Sequence, residues 1–325
     1  MSAPPAQAGN SSAVLPQKSG AEAAHVLLAV NPKAGSGRFV HLLESLQEKL
    51  AEAGFAVQRC TDVATLQSQA KALAEQGKLR VVIVAGGDGS ARLIAESLPA
   101  NTPLMILPLG TENLLARHLG YSRDAEAMVE IVKNGQPTAM DAGLANGKLF
   151  LVMVGIGFDA SVVKALHDHR SGNITRWSYV WPIISAVWRY RYPKMELRWQ
   201  TPTRCETDPA VQLLSLNAAF VFVSNLPRYA GFLTFAPKAV GTDGLLDVVA
   251  FLKGSFWRGV LYVVSVWLGL HQRLGNVKIA PTQKLHISST ADYPVYFQID
   301  GDPGGELPLE IEVLPGHLTF LRSPR

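Results

Sequence analysis

The feature that most constrains this chain is a repeated pairing of a short apolar run with a glycine-rich or polar loop. Val26–Val30 runs into Asn31-Pro32-Lys33-Ala34-Gly35-Ser36-Gly37-Arg38, Val81–Ala85 into Gly86-Gly87-Asp88-Gly89, and Leu104–Leu107 into Pro108-Leu109-Gly110-Thr111-Glu112-Asn113. Runs of this length, bounded by turn residues, predict strands buried on both faces. Between them, Phe39–Ala53, Ala64–Gln76 and Ala91–Ser97 carry apolar residues three and four apart, the period of a helix packed on one side. Thr61 and Asp62 stand where helix caps belong, after a short strand at Phe55–Arg59, and Asp124–Lys133 gives one more helix. Strands alternating with helices predict a parallel sheet covered by helices, with ligands bound at the carboxyl ends of the strands.

The sharpest of these loops is in Leu79–Ser90, LRVVIVAGGDGS. Adjacent glycines at a strand's carboxyl end let the backbone turn sharply and approach a ligand closely. Main-chain N–H groups there and at the start of the next helix face an anion such as a phosphate. The loop around Gly35 lacks the GxxxxGK[ST] spacing, and the turn at Gly86 lacks GxGxxG, so neither standard nucleotide motif is present.

After Asp141 the rhythm changes. Leu149–Val154, Met195–Trp199, Val211–Leu214, Ala218–Val223, Leu245–Phe251, Val277–Ala280, Lys284–Ser288, Val295–Ile299 and Leu309–Val313 read as strands, with a helix at Ala160–Leu166. The fold class expected is therefore α/β followed by all-β: a parallel-sheet domain over residues 25–141 and a mainly antiparallel β-sandwich over 142–325, with a cleft between them. The final run, Leu318–Leu321, can return to the first domain. Residues 1–24, rich in Ala, Pro, Gly and Ser, are expected to be a disordered lead with no signal-peptide core.

Composition narrows the partners. A net charge of +4 without a Lys/Arg tail argues against nucleic acid. Cys60 and Cys205 have neither metal spacing nor a disulfide framework, which fits a reducing, cytoplasmic setting. No apolar run reaches transmembrane length. Ile174–Tyr192 mixes Trp177, Trp181, Trp188 and Tyr190 with Arg176, Arg189 and Arg191, a composition suited either to a membrane headgroup layer or to a buried helix with a basic flank. Trp257–Leu270, apolar around most of its surface, is expected to pack on the sheet rather than on lipid.

Two acidic turns can carry chemistry. Asp243, in Gly241-Thr242-Asp243-Gly244, offers a hard oxygen ligand for a divalent cation, or simply closes an Asx-turn. Asp300-Gly301-Asp302 places two carboxylates at a strand end, where one can accept a proton from a hydroxyl or both can be a solvated turn. No GxSxG elbow and no HExxH spacing occur, and His167 and His169 read as surface residues. Glycine loops and scattered aspartates without a nucleophile fit phosphoryl transfer best.

At this point the sequence resembles the diacylglycerol kinase catalytic-domain superfamily, which includes sphingosine kinases and bacterial YegS-like and DgkB-like lipid kinases and is distantly related to NAD kinases. VNPKAGSG, VAGGDGSARLI, LPLGTENLLARHLG, DAGL, VGIGFDA, FVSNLPRYAG, APKAVGTDGLLDV and QIDGD resemble its motifs in order, from Val26 to about Leu321. The resemblance implies ATP as phosphoryl donor, Mg²⁺ and a lipid acceptor, with peripheral contact at an inner membrane surface; a homodimer is left open. It implies nucleotide contacts at Asn31, Thr61, Gly86, Gly87, Asp88, Gly89, Ser90, Arg92, Gly110, Thr111 and Asn113. Mg²⁺ would be held by Asp243 with main-chain oxygens of Val240 and Leu245. Asp302 would be the base, and Asp88 and Asp141 would orient the phosphate side.

Three positions depart from the family pattern. Asp302 replaces the usual glutamate, Arg92 an asparagine, and Leu114 an aspartate of the acidic network. Two rivals to the lipid-kinase reading follow: a kinase of a soluble acceptor, as in NAD kinase, and a homologue that binds nucleotide or lipid without catalysis.

Overall fold

The computed structural model describes residues 24–30, 39–168, 190–201, 212–229 and 233–324. The expected lead (but for Ala24), the loop at 31–38 with Asn31, and most of the aromatic–basic segment lie outside the described residues.

The first part of the chain runs β1 (His25–Val30), α1 (Val40–Glu52), β2 (Ala56–Cys60), α2 (Val63–Glu75), β3 (Leu79–Gly86), α3 (Asp88–Ser97), β4 (Pro103–Pro108), α4 (Leu114–Leu119) and α5 (Ala125–Asn134). Strands β1 to β4 pair in parallel in the order β2-β1-β3-β4. Their central residues, Val26 to Ala29, Val81 to Ala85 and Leu104 to Leu107, are buried, as continuous apolar runs require. Local chemistry sets the helix starts. The Asp62 carboxylate accepts the Thr65 N–H at 2.7 Å, and Asp124 accepts those of Glu126 and Ala127. Helix α3 begins at Asp88, three residues before the expected Ala91, because the GDGS segment itself winds into the first turn.

The second part contains β5 (Gln136–Ala145), β6 (Lys148–Phe150), β7 (Met153–Ile156), α6 (Phe158–Asp168), β8 (Met195–Thr201), β9 (Gln212–Ala218), β10 (Phe220–Ser224), β11 (Arg228–Tyr229), β12 (Leu233–Thr234) and β13 (Leu246–Phe251). Then come α7 (Phe256–Trp267), a 3-10 turn at His271–Arg273, β14 (Val277–Thr282), β15 (Lys284–Ser289), β16 (Tyr296–Ile299), β17 (Asp302–Glu306) and β18 (Leu309–Arg322). An antiparallel sheet of order β14-β13-β10-β7-β16-β17 faces an extension of the first sheet. Val154, Ile156, Val221, Phe297, Leu285 and Ile311 lie in the buried cluster between them. Each such side chain contributes about 1.5–3 kcal/mol relative to exposure.

The extension makes the first sheet mixed rather than parallel throughout. Strand β18 pairs antiparallel with β15 and β5, and its end, Thr319–Phe320, runs parallel beside Pro103–Leu104 of β4. Leu309–Val313 and Leu318–Leu321 thus belong to one strand, interrupted by a register shift between Leu314 and Leu318. Asp141 sits in the middle of β5. The single run expected at Leu149–Val154 is divided into β6 and β7, because the N–H groups of Leu151, Val152 and Met153 turn to the Asp300 carboxylate.

Helix α7 packs against the fold by one side only. It packs Tyr262, Ser265 and Val266 inward, whereas Trp257, Leu261, Trp267 and Leu268 face outward. An apolar helix surface with no periodic polar face does not disclose which side the tertiary fold covers. Among the described residues no helix is long and apolar enough to cross a membrane.

Candidate functional site between the two domains

The carboxyl ends of β3 and β4 place two glycine loops against each other. A Cβ on Gly110 would lie 2.6 Å from the Gly87 Cα, so any side chain there would push the loops apart. Asn113 ties the second loop closed: its Oδ1 accepts the Gly110 N–H at 2.8 Å and its Nδ2 donates to the Gly110 carbonyl at 2.7 Å. Both ends of that amide are engaged, and Asn113 is buried in the left-handed conformation, at φ 49°. Thr111 is exposed at the loop tip.

Asp88 opens α3 but directs its carboxylate to the next helix. Its two oxygens accept the N–H groups of Leu114 (2.8 Å) and Leu115 (3.0 Å), which start α4. Burial raises its pKa from the usual value, with those two N–H groups opposing. Leu114 meets Asp88 through its main chain, so the contact survives the leucine at that position.

Gly87, the N-cap of α3, makes no side-chain cap bond, and a helix start of this kind suits an anion. Beside it, a cavity of about 190 Å³ is lined by Thr61, Asp62, Ser90 and Leu93 together with strand residues of β1 and β3. Thr61 and Ser90, far apart in sequence, therefore share one recess. Its size and its hydroxyl-bearing wall fit part of a nucleotide.

From the other domain, β17 brings Asp302 to this loop. Arg92 Nη2 donates to Asp302 Oδ2 at 2.9 Å, and a Cβ on Gly89 would lie 3.3 Å from the same oxygen. The Asp302 side chain is 46 % exposed and that of Arg92 18 %. Arg92 Nε is buried with no hydrogen-bond partner. Asp300, two residues away, is held differently: its carboxylate accepts three main-chain N–H groups, from Leu151, Val152 and Met153, at 2.8–2.9 Å. Burial pushes its pKa up to about 6 despite them. Of the two carboxylates in Asp300-Gly301-Asp302, Asp300 is committed to main-chain N–H groups and Asp302 is not.

Asp141 is a buried clamp. Its oxygens accept the N–H groups of Gly244 and Gly316, each at 2.7 Å, and so join β5 to the turn before β13 and to the bend in β18. That turn contains the proposed cation ligands. The Val240 carbonyl accepts from Thr242 at 2.6 Å and Asp243 at 3.2 Å, and Asp243 Oδ1 accepts the Leu245 N–H at 3.1 Å, an Asx-turn. Asp247 stands close enough that the Asp243 charge, after burial, helps to push its pKa to about 6. Among the described residues no group of three His, Cys, Asp or Glu forms a metal cluster. The donors present are hard oxygens, which suit a hydrated Mg²⁺ better than a soft metal.

The sequence reading gave Asp159 no role. Half-buried after the Gly157 turn, it accepts from Tyr229 Oη at 3.1 Å and from Gln298 Nε2 at 2.9 Å. Gln298 Oε1 in turn accepts the Gly301 N–H at 2.7 Å, so a chain of hydrogen bonds runs from α6 to the Asp302 turn. The only sequence signal is a carboxylate inside an otherwise apolar stretch, VGIGFDA. Phe158, next to Asp159, lines an apolar cavity of about 250 Å³ with Phe220, Phe222, Phe251, Tyr262 and Val263.

Two family models match successive parts of the chain. Residues 25–145 match the diacylglycerol kinase catalytic domain, and residues 152–322 match the YegS C-terminal NAD kinase beta sandwich-like domain. The diacylglycerol kinase of Bacillus subtilis is 25% identical over 300 residues, covering 89% of this chain and 93% of that protein. That of Mycobacterium tuberculosis is 27% identical over 248 residues, covering 74% and 76%. A solved diacylglycerol kinase structure from Bacillus anthracis, 22% identical, superposes with a TM-score of 0.63 over 93% of this chain and 97% of that one, a likeness of fold.

Proposed function

The chain belongs to the bacterial diacylglycerol kinase/YegS lipid-kinase superfamily, and from that membership we propose that it transfers the γ-phosphoryl group of ATP to a hydroxyl of a diacylglycerol- or sphingoid-like lipid. The observation that carries this reading is the placement of Asp302, an accessible carboxylate of one domain, against the Gly86–Arg92 loop of the other. In this reading the α3 start and Ser90 bind phosphate, Thr61 lines the nucleotide recess, and Arg92 turns its guanidinium to phosphate charge. Asp302 takes the proton of the lipid hydroxyl while that oxygen bonds to the γ-phosphorus and ADP departs. The hydroxyl must lie closer to the main chain than a glutamate would require. Asp88 and Asp141 act through the backbone: one fixes the second glycine loop, the other the 240–245 turn. Asp243, with main-chain oxygens of Val240 and Leu245, would hold Mg²⁺, whose charge offsets that of phosphate. In this reading the aromatic cavity beside Phe158 takes an acyl chain, which supports peripheral contact with a membrane surface.

A second reading, nucleotide or lipid binding without transfer, is favoured by one observation: the Arg92 guanidinium already occupies Asp302. ATP consumption measured across a panel of lipids in mixed micelles, with and without Mg²⁺, separates the two. The kinase reading expects consumption that needs both a lipid hydroxyl and Mg²⁺ and that falls in Asp243→Asn. Tight nucleotide binding with no transfer to any lipid would establish the second reading, and transfer only to a soluble nucleotide acceptor would replace both.

A further inference from the structure

We propose that the outer face of α7 is a docking surface for a bilayer rich in anionic lipid, and that it forms the mouth of the aromatic cavity. The face is continuous. Trp257, Leu261, Val264 and Leu268 follow one another at helical spacing, with Val260 and Trp267 beside them, and all are exposed. Trp257 is 76 % exposed and Trp267 65 %, one at each end of the helix. Large apolar side chains exposed together in this way mark a contact surface rather than ordinary scatter. Tryptophan at the rim of such a face suits the headgroup level, where an amphipathic ring is apolar on one side and wet on the other.

Two observations choose a membrane over another protein as the occupant. The first is charge. From Val248 to Lys278 the chain holds Lys253, Arg258, Arg273 and Lys278 and no Asp or Glu. Lys253, Arg273 and Lys278, which flank the helix, are exposed. A basic border around an apolar helix face complements an anionic leaflet. The second is continuity with the cavity. Val260, Val263 and Val264 are exposed on the helix and also line the aromatic recess, so the recess opens through the face itself. A lipid chain would pass from the bilayer into the protein without crossing water. The docking inference rests on the lipid reading only for this last step.

The test is flotation of the purified full chain, without nucleotide, on vesicles of phosphatidylcholine alone or with about a third phosphatidylglycerol. The parent is expected to partition onto the mixed vesicles, and the triple variant Trp257→Ser, Leu261→Ser, Trp267→Ser to partition at least about tenfold less. These three side chains do not line the cavity, so transfer to a short-chain, water-soluble acceptor should be unchanged. Lys253→Gln with Arg273→Gln should remove most of the preference for phosphatidylglycerol. Against a triple variant that folds poorly, an environment-sensitive dye on Leu261→Cys, in a Cys205→Ser background, should shift to the blue when mixed vesicles are added. Partitioning of the folded triple variant within twofold of the parent, or no dye shift, overturns the proposal. So does light scattering that shows a parent dimer converted to monomer by the triple variant, with no vesicle binding by either. A chain that partitions as expected yet phosphorylates no lipid keeps the docking surface and loses the kinase reading.

Discussion

The Arg92 guanidinium and the Asp302 carboxylate meet at 2.9 Å across the domain cleft, one carried by α3 and the other by β17, 210 residues apart in sequence. The pair joins the glycine loop of the first domain to the acidic turn of the second. A double-mutant cycle on unfolding, with Arg92→Ala and Asp302→Ala, should give a coupling of about 0.5–1 kcal/mol, because Asp302 is nearly half exposed and solvent screens the interaction. High salt should reduce it. A coupling of zero at low salt would show that the contact is not maintained in solution.

As the proposed base, Asp302 should be separable from nucleotide binding. Asp302→Asn is expected to lower turnover by about a hundredfold or more while nucleotide affinity changes less than about threefold. Turnover within about threefold of the parent would remove Asp302 from that role.

Asp88 is expected to matter for stability more than for direct contact. Asp88→Ala strands the buried N–H groups of Leu114 and Leu115, a loss of about 2–3 kcal/mol in urea unfolding. Asp88→Asn, which keeps one acceptor oxygen, should lose less. Equal losses in the two variants would contradict the capping assignment.

The Asp159 carboxyl gives the fold a specific pH dependence. Burial raises its pKa from 3.8 to about 6 in the folded chain, with the Gln298 and Tyr229 hydrogen bonds opposing. At about pH 3 the group is protonated in both states and costs nothing. Between about pH 4 and pH 6 the folded chain holds a proton that the unfolded chain has released, so stability falls as pH rises through this window. Above it both states are ionised and the cost is complete. Asp159→Asn, neutral throughout, should flatten the stability difference between about pH 4 and pH 8 by roughly 2 kcal/mol. An unchanged pH slope in the variant would show that Asp159 does not titrate in this way.

Much of the site was legible because its parts are local. The glycine turn at Gly86, the loop at Gly110 and the Asp300-Gly301-Asp302 turn each follow an apolar strand, and glycine at a strand end constrains the backbone wherever the strand is placed. The two carboxylates of the acidic turn were not distinguishable, because both flank Gly301 and both could be solvated. The difference lies in what folds against them: three N–H groups from Leu151–Met153 enclose Asp300, while Arg92 reaches Asp302. Asn113 could be placed at the loop but not oriented, and its amide closes on Gly110.

The sequence by itself determined the alternation of β1 to β4 with their helices, the prevalence of strands in the second part of the chain, and the loops at the ends of β3 and β4. Those properties depend on hydrophobic period and turn chemistry, which act over a few residues. The tertiary structure alone decided which side of α7 faces outward, that β18 ends beside β4, and that Asp159 and Gln298 support the Asp302 turn. These depend on contacts between segments more than a hundred residues apart or on which face the neighbouring sheet covers. Neither leaves a period in the chain.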